Sequence, residues 1–244
     1  MIILYYRICD EKKYLLLEFA IVFIFLLLPP IFVSKAEIPP SLRKGAFSFA
    51  FLPQLFIAIL LNFQWRKKAA LTKKKSFEKH ISILKWGTIT FGYLMLIFAL
   101  ILALQMIFGT TSASADFSSS LSSSFVFEPR LLFFLSLAVN FLAGAFFEEV
   151  LYREFFPKTL CALLDGVSSD KMKLAVRILV EASAVLIFAA AHRYMGIFAV
   201  ANAALCAIAL RNCYVKTGGV YTGTVVHFLY NMISLFFVLR PVIG

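Results

Sequence analysis

Apolar runs of about 20 residues return along almost the whole chain, and they limit its fold more than any motif does. A run of that length crosses ~30 Å of hydrocarbon when coiled as a helix rising ~1.5 Å per residue. Seven candidate spans read out as Tyr14 to Phe32, Ala46 to Trp65, Ile83 to Phe108, Leu131 to Val150, Ala182 to His192 with its surroundings, Gly196 to Leu210, and Tyr221 to Leu239. Hydrophobic residues make up 61% of the chain and charged residues 15%, against about one half and one quarter in soluble domains. The expectation is an all-α protein, a polytopic transmembrane helical bundle of about seven to eight transmembrane helices, placed in the cell membrane as a multi-pass protein. Arg7, Lys12 and Lys13 precede the first span like the start of a signal peptide, but Pro29 and Pro30 follow it instead of a small-residue cleavage site. The first span therefore reads as a retained helix, broken at the prolines.

The net charge of +11 raises the question of nucleic acid, and its distribution answers it. Arg66, Lys67, Lys68, Lys73, Lys74, Lys75 and Lys79 crowd one loop, and membrane proteins keep such loops in the cytoplasm. Fixing loop 66–79 inside puts the N-terminus inside as well and leaves 18 of the 24 Lys and Arg on that side. Loop 66–79 reads as a topology signal and a contact for anionic lipid; no nucleic acid is expected. The opposite loop, Gly109 to Arg130, is Ser-rich and nearly uncharged, as suits an external loop. Cys9, Cys161, Cys206 and Cys213 show no CxxC spacing and no zinc ligand set. His80, in the basic loop, is expected to face solvent.

Against this apolar background three polar clusters stand out. The first is Glu148-Glu149-x-x-x-Arg153. Each ionised side chain in a bilayer helix costs roughly 2.5–3.5 kcal/mol, so packing alone does not account for two adjacent ones. Glu149 and Arg153, four apart, share a helix face and can pair; Glu148, turned by about 100°, can look into the bundle. Tyr152 is four residues after Glu148, within reach of the same site. The second cluster is Phe188-x-x-x-His192 and the third His227-x-x-x-Asn231. Singly, each has a bland reading: an intramembrane Asn is often interhelical glue worth about 0.6 kcal/mol, a lone His is often only a packed side chain, and Glu149–Arg153 is an edge-of-membrane ion pair. Together they offer a base, two imidazoles and a neutral donor from three helices.

In this order on successive transmembrane helices, the three motifs resemble the CPBP family, which holds the type II CAAX prenyl endopeptidases, bacteriocin-processing and immunity proteins, and the Abi proteins. The resemblance covers roughly Leu131 to Leu239. It implies a glutamate-dependent intramembrane endopeptidase in which Glu148 is the catalytic glutamate, His192 helps activate water, and His227 and Asn231 stabilise the oxyanion. Glu149, Arg153, Tyr152 and Phe188 would support them. Residues 1–244 then read as a single membrane domain, 1–130 being N-terminal accessory helices and 131–240 the catalytic core helices. The implied substrate is a peptide or protein with a hydrophobic or lipidated end, and no cofactor is required. Zinc at Glu148, His192 and His227 is a chemically conceivable alternative. No HExxH, rhomboid-type serine motif or pair of intramembrane aspartates is present. A non-enzymatic membrane scaffold or bacteriocin-immunity protein is the alternative function. A proton-relaying transporter is a third, but it would need polar residues along a whole pathway.

The motifs pose a depth problem. With Glu148 at the inner end of its span and the next span starting at Met172, His192 would be ~30 Å away. Lys173, Arg177 and Glu181 form a charged stripe, and Arg177 can pair with Glu181. The expectation is therefore an interfacial helix over about Ser168 to Glu181, with descent beginning near Ala182. His192 would then lie ~15 Å deep and His227 ~10 Å. Gly196 permits a turn after His192, and the Ala-rich span that follows reads as scaffold.

Overall fold

The computed structural model describes residues 2–33, 48–69, 77–109, 131–166 and 169–243, and these form helices joined by turns, with no strand among them. The helices are α1 (Ile2–Val22), α2 (Pro29–Phe32), α3 (Leu52–Ala69), α4 (Phe77–Phe108), α5 (Leu131–Glu148), α6 (Phe156–Leu163), α7 (Asp170–Ala190), α8 (Ile197–Thr217) and α9 (Val220–Ile243). The Ser-rich loop and residues 70–76 of the basic loop lie outside the described residues, as do the side chains of Cys9, His80 and the remaining basic-loop cations.

Among the described residues five segments are long and apolar enough to cross a membrane: Lys12–Phe32, Ser82–Phe108, Phe134–Leu163, Ile197–Thr217 and Val220–Phe237. The bundle is a membrane protein, with fewer spans than the seven to eight expected. Two candidates fall short for different reasons. The apolar part of α3 is only Leu52–Gln64. The first 12 residues of α7 carry Asp170, Lys171, Lys173, Arg177 and Glu181.

Two proline sites shape the helices. Pro29 and Pro30 have no N–H for the carbonyls four residues back. The chain answers with a π-helical stretch, Phe23–Leu27, in which the Leu28 N–H reaches the Phe23 carbonyl at 2.8 Å. The helix widens before the prolines rather than simply breaking at them. The second stretch, Glu149–Phe155, is also π-helical and joins α5 to α6 just before Pro157. Its residues are all buried. It touches α3, α7, α8 and α9 as well as its own flanks, which makes it the hub of the bundle. Pro157 leaves the Arg153 carbonyl without its usual donor, and Arg211 of α8 supplies one through Nη1 at 2.6 Å.

The fourth span therefore does not end at Val150. It runs as a 30-residue segment to Leu163, which puts Glu148 about midway along it and 15 residues, or ~22 Å, from its end. This removes most of the depth problem at its source. The stretch expected at the interface and the stretch expected to descend are parts of one unbroken helix, α7, from Asp170 to Ala190. Glu181 pairs with Arg211 rather than Arg177, through Arg211 Nε at 2.7 Å and Nη2. Gly196 does make the turn after His192, at φ 95°, where a side chain would be strained. The small-residue helix α8 packs along α4 and α7, consistent with a scaffold.

Candidate active site

The site forms where the π-helical hub faces α7 and α9. Glu149 is fully buried, and its Oε1 lies 3.1 Å from His227 Nδ1 and 3.5 Å from Arg153 Nε. Glu148 is less enclosed, with 31% of its side chain exposed, and its Oε2 stands 3.7 Å from His227 Nε2. The imidazole of His227 is thus bracketed by the two adjacent carboxylates, one at each ring nitrogen. The sequence reading tied Glu149 to Arg153 and left Glu148 to look inward. Both contacts exist, but Glu149 also reaches His227.

His227 can sit between the carboxylates because α9 is bare one turn earlier. A Cβ built on Gly223 would fall 2.6 Å from Glu149 Oε2, closer than nonbonded atoms approach. That oxygen has no hydrogen-bond partner among the described residues, and neither do Nε and Nη2 of Arg153. The Arg153 guanidinium instead lies over the Phe188 ring, 4.2 Å from its centroid, a cation–π contact favoured where water is excluded.

Phe188 is the common wall. Its ring meets Tyr152 edge-on at 5.0 Å, His192 at 4.7 Å and His227 at 6.4 Å between centroids. His192 follows Ala191, the C-cap of α7, and opens the turn that ends at Gly196; its Nδ1 lies 2.8 Å from the Phe188 carbonyl. A carbonyl only accepts, so Nδ1 carries the proton and, in the neutral ring, Nε2 keeps its lone pair. Asn231 follows His227 by one turn of α9, half-buried and without a hydrogen bond among the described residues. The structure thus sets Arg153, Tyr152, His192 and His227 around the Phe188 ring and Glu148 and Glu149 against His227, with Asn231 one turn further along α9. Among the described residues no three His, Cys, Asp or Glu side chains are placed to hold a metal.

A second buried carboxylate was not anticipated. Glu154 accepts from Asn62 Nδ2 at 2.8 Å, Lys158 Nζ at 2.8 Å and the Tyr214 hydroxyl at 3.2 Å. The Tyr221 hydroxyl in turn donates to Asn62 Oδ1 at 3.2 Å. This network binds α3 to the hub, α6, α8 and α9. Its signals were present in the sequence: the i,i+4 pair Glu154–Lys158, and a lone Asn inside the second apolar run. The Gly223-x-x-x-His227 register was likewise visible but not used.

Such a bundle belongs to the class of polytopic helical membrane proteins with a carboxylate–imidazole site inside. Residues 130–233 match the family model described as type II CAAX prenyl endopeptidase, Rce1-like. That stretch holds Glu148, Glu149, Arg153, Phe188, His192, His227 and Asn231, so the resemblance read from the motifs is shown over the part of the chain that carries them. No curated protein and no solved structure matches the chain.

Proposed function

We propose that this chain is an intramembrane endopeptidase of the CAAX-protease type, metal-independent, with Glu148 as its general base. The observation that carries the reading is His227 bracketed by two adjacent carboxylates, with His192 and His227 both against the Phe188 ring, inside the segment that matches the family model. Of the two carboxylates, Glu149 is sealed and engaged, while Glu148 keeps an exposed face that water and substrate can reach. Glu148 takes a proton from a water molecule, and the bare Nε2 of His192 accepts that water's other hydrogen and orients it. The hydroxide adds to the peptide carbonyl carbon. Asn231 donates to the oxygen that gains charge, an interaction whose loss typically costs about 10² to 10³ in rate. The carbon–nitrogen bond then breaks and the proton goes to the departing amine. His227 adjoins this oxygen site, as the family resemblance implies.

The substrate in this reading is a peptide or protein with a hydrophobic or lipidated end that enters from the membrane. The N-terminus and loop 66–79 face the cytoplasm, and that loop contacts anionic lipid. The test uses the purified protein with a panel of prenylated and unmodified peptides, with and without chelator. Glu148→Ala is expected to cut cleavage by about 10²- to 10⁴-fold, the usual worth of a general base, with chelator causing no loss. Cleavage that survives Glu148→Ala would reject the assigned base, and loss to chelator would reject metal independence. No cleavage of any peptide, together with tight retention of an unprocessed partner, would favour the scaffold or immunity role.

A further inference from the structure

We propose that Lys173 and Arg177 of α7 hold the phosphate of an anionic phospholipid, in the cavity between the end of α6 and the start of α7. The proposal goes beyond the peptidase reading and does not depend on it. The cavity measures about 220 Å³, and Cys161, Ala162 and Asp165 line it opposite the two cations. It lies where the membrane-spanning segment Phe134–Leu163 ends, at the depth where headgroups meet water. It is separate from basic loop 66–79, the lipid contact read from the sequence.

The two cations are left over from the pairing of the bundle. Four residues apart, they rise from one face of α7, where like charges repel. Glu181, one turn beyond Arg177, is the natural partner, but Arg211 holds it through two nitrogens. Arg177 is left without an ion pair among the described residues. Lys173 meets Asp170 at 3.7 Å, and that carboxylate is fully exposed, where a pair is worth little. Asp165 is the one carboxylate lining the cavity. Lys12 of α1 donates to the Asp165 carbonyl at 2.7 Å, which brings a third cation to the rim. Positive charge is in excess, so the cavity suits an anion.

A phosphate suits these donors: a guanidinium offers it two parallel N–H groups and an ammonium adds a point charge. The flanks identify its source. Leu174 and Ile178, each the next residue after a cation, are 60% and 59% exposed, and Leu179 is 68% exposed. On a membrane helix such side chains face acyl chains. A headgroup in the cavity lays its chains along this apolar face, which a free phosphate leaves unused. In the proposed orientation this end of α7 meets the cytoplasmic leaflet, the one that carries anionic lipid.

The test titrates the full chain, in non-ionic detergent, with phosphatidylglycerol, phosphatidylcholine or inorganic phosphate. Cys161, half-buried in the cavity wall, gives a local readout: its rate of alkylation by a maleimide, followed by peptide mass mapping. That readout separates the cavity from loop 66–79 and from the other cysteines. Phosphatidylglycerol is expected to slow the alkylation of Cys161, and the other two probes at the same concentration are not. Lys173→Gln together with Arg177→Gln should raise the phosphatidylglycerol needed for half protection by about 10- to 30-fold, the usual worth of two such cations. Both side chains are exposed, so the double variant should unfold at the same temperature as the unaltered protein. Ala162→Leu, which fills the cavity and keeps both charges, should abolish the effect of the lipid. Equal protection by phosphatidylcholine, or unchanged half protection in the double variant, would overturn the proposal. Equal protection by inorganic phosphate would make the occupant a free anion and overturn the lipid assignment. Protection that persists in Ala162→Leu would put the lipid outside the cavity and overturn the site.

Discussion

Glu149 and Glu154 lie five residues apart on the same π-helical stretch, and both are buried, yet their surroundings differ in kind. Glu154 is answered in full: an amide, an ammonium and a phenol donate to it from α3, α6 and α8. Glu149 has one imidazole and a distant guanidinium on one oxygen and, among the described residues, no donor on the other. A satisfied buried network rigidifies a fold, and a buried polar atom without a partner calls for a reason. The difference separates a carboxylate that fastens helices from one left half-answered against an imidazole. Lys158, with its ammonium partly open to solvent, also relieves Glu154 of part of its burial cost.

The contrast can be broken by experiment. Glu154→Ala strands Asn62 and Tyr214 in the bundle. It should lower unfolding stability by about 2–4 kcal/mol, read as a drop in the midpoint of thermal unfolding in detergent. Cleavage per folded molecule should stay within about twofold, as for a change away from the chemistry. Activity lost at unchanged stability would instead make Glu154 part of the site. A smaller effect is expected at Arg211, whose guanidinium serves both Glu181 and the carbonyl orphaned by Pro157. Arg211→Ala should cost about 1–3 kcal/mol by the same measurement. A loss below that range would mean that water can replace it. Tyr221→Phe, which removes the hydroxyl that donates to Asn62, should cost about 0.5–1.5 kcal/mol and leave KM and kcat as they were.

Much of the site was legible because its spacing is local. Glu149–Arg153, Phe188–His192 and His227–Asn231 are each one helical turn, and a turn can be read from four letters. The apolar runs likewise exposed the helical membrane class. What escaped notice depended on events between helices or on hydrogen bonds the chain cannot make. The bridge of Glu149 to His227 needs Gly223 on another helix, and no spacing within one helix reveals it. The extension of the fourth span to Leu163 was hidden by its own charges. Arg153, Glu154 and Lys158 looked like the edge of the membrane, whereas the structure buries the first two and neutralises Glu154 with Lys158. That misplaced end made Glu148 look shallow and prompted the search for an interfacial stretch in what is one continuous helix, α7. Arg177–Glu181 failed for a related reason. A neighbour four residues away is available to every helix, but Arg211 offers Glu181 a two-nitrogen grip that Arg177, exposed on α7, does not provide.

Phe188 has a mechanical consequence. One ring touches the guanidinium, the phenol and both imidazoles, and it is carried by α7, whose outer face is largely exposed while its inner face bears on the hub. Close-packed rings do not yield separately. A guest that leaned on α7 would therefore move the shared wall of both histidines in one stroke, and the two imidazoles would come into or out of register together rather than one at a time.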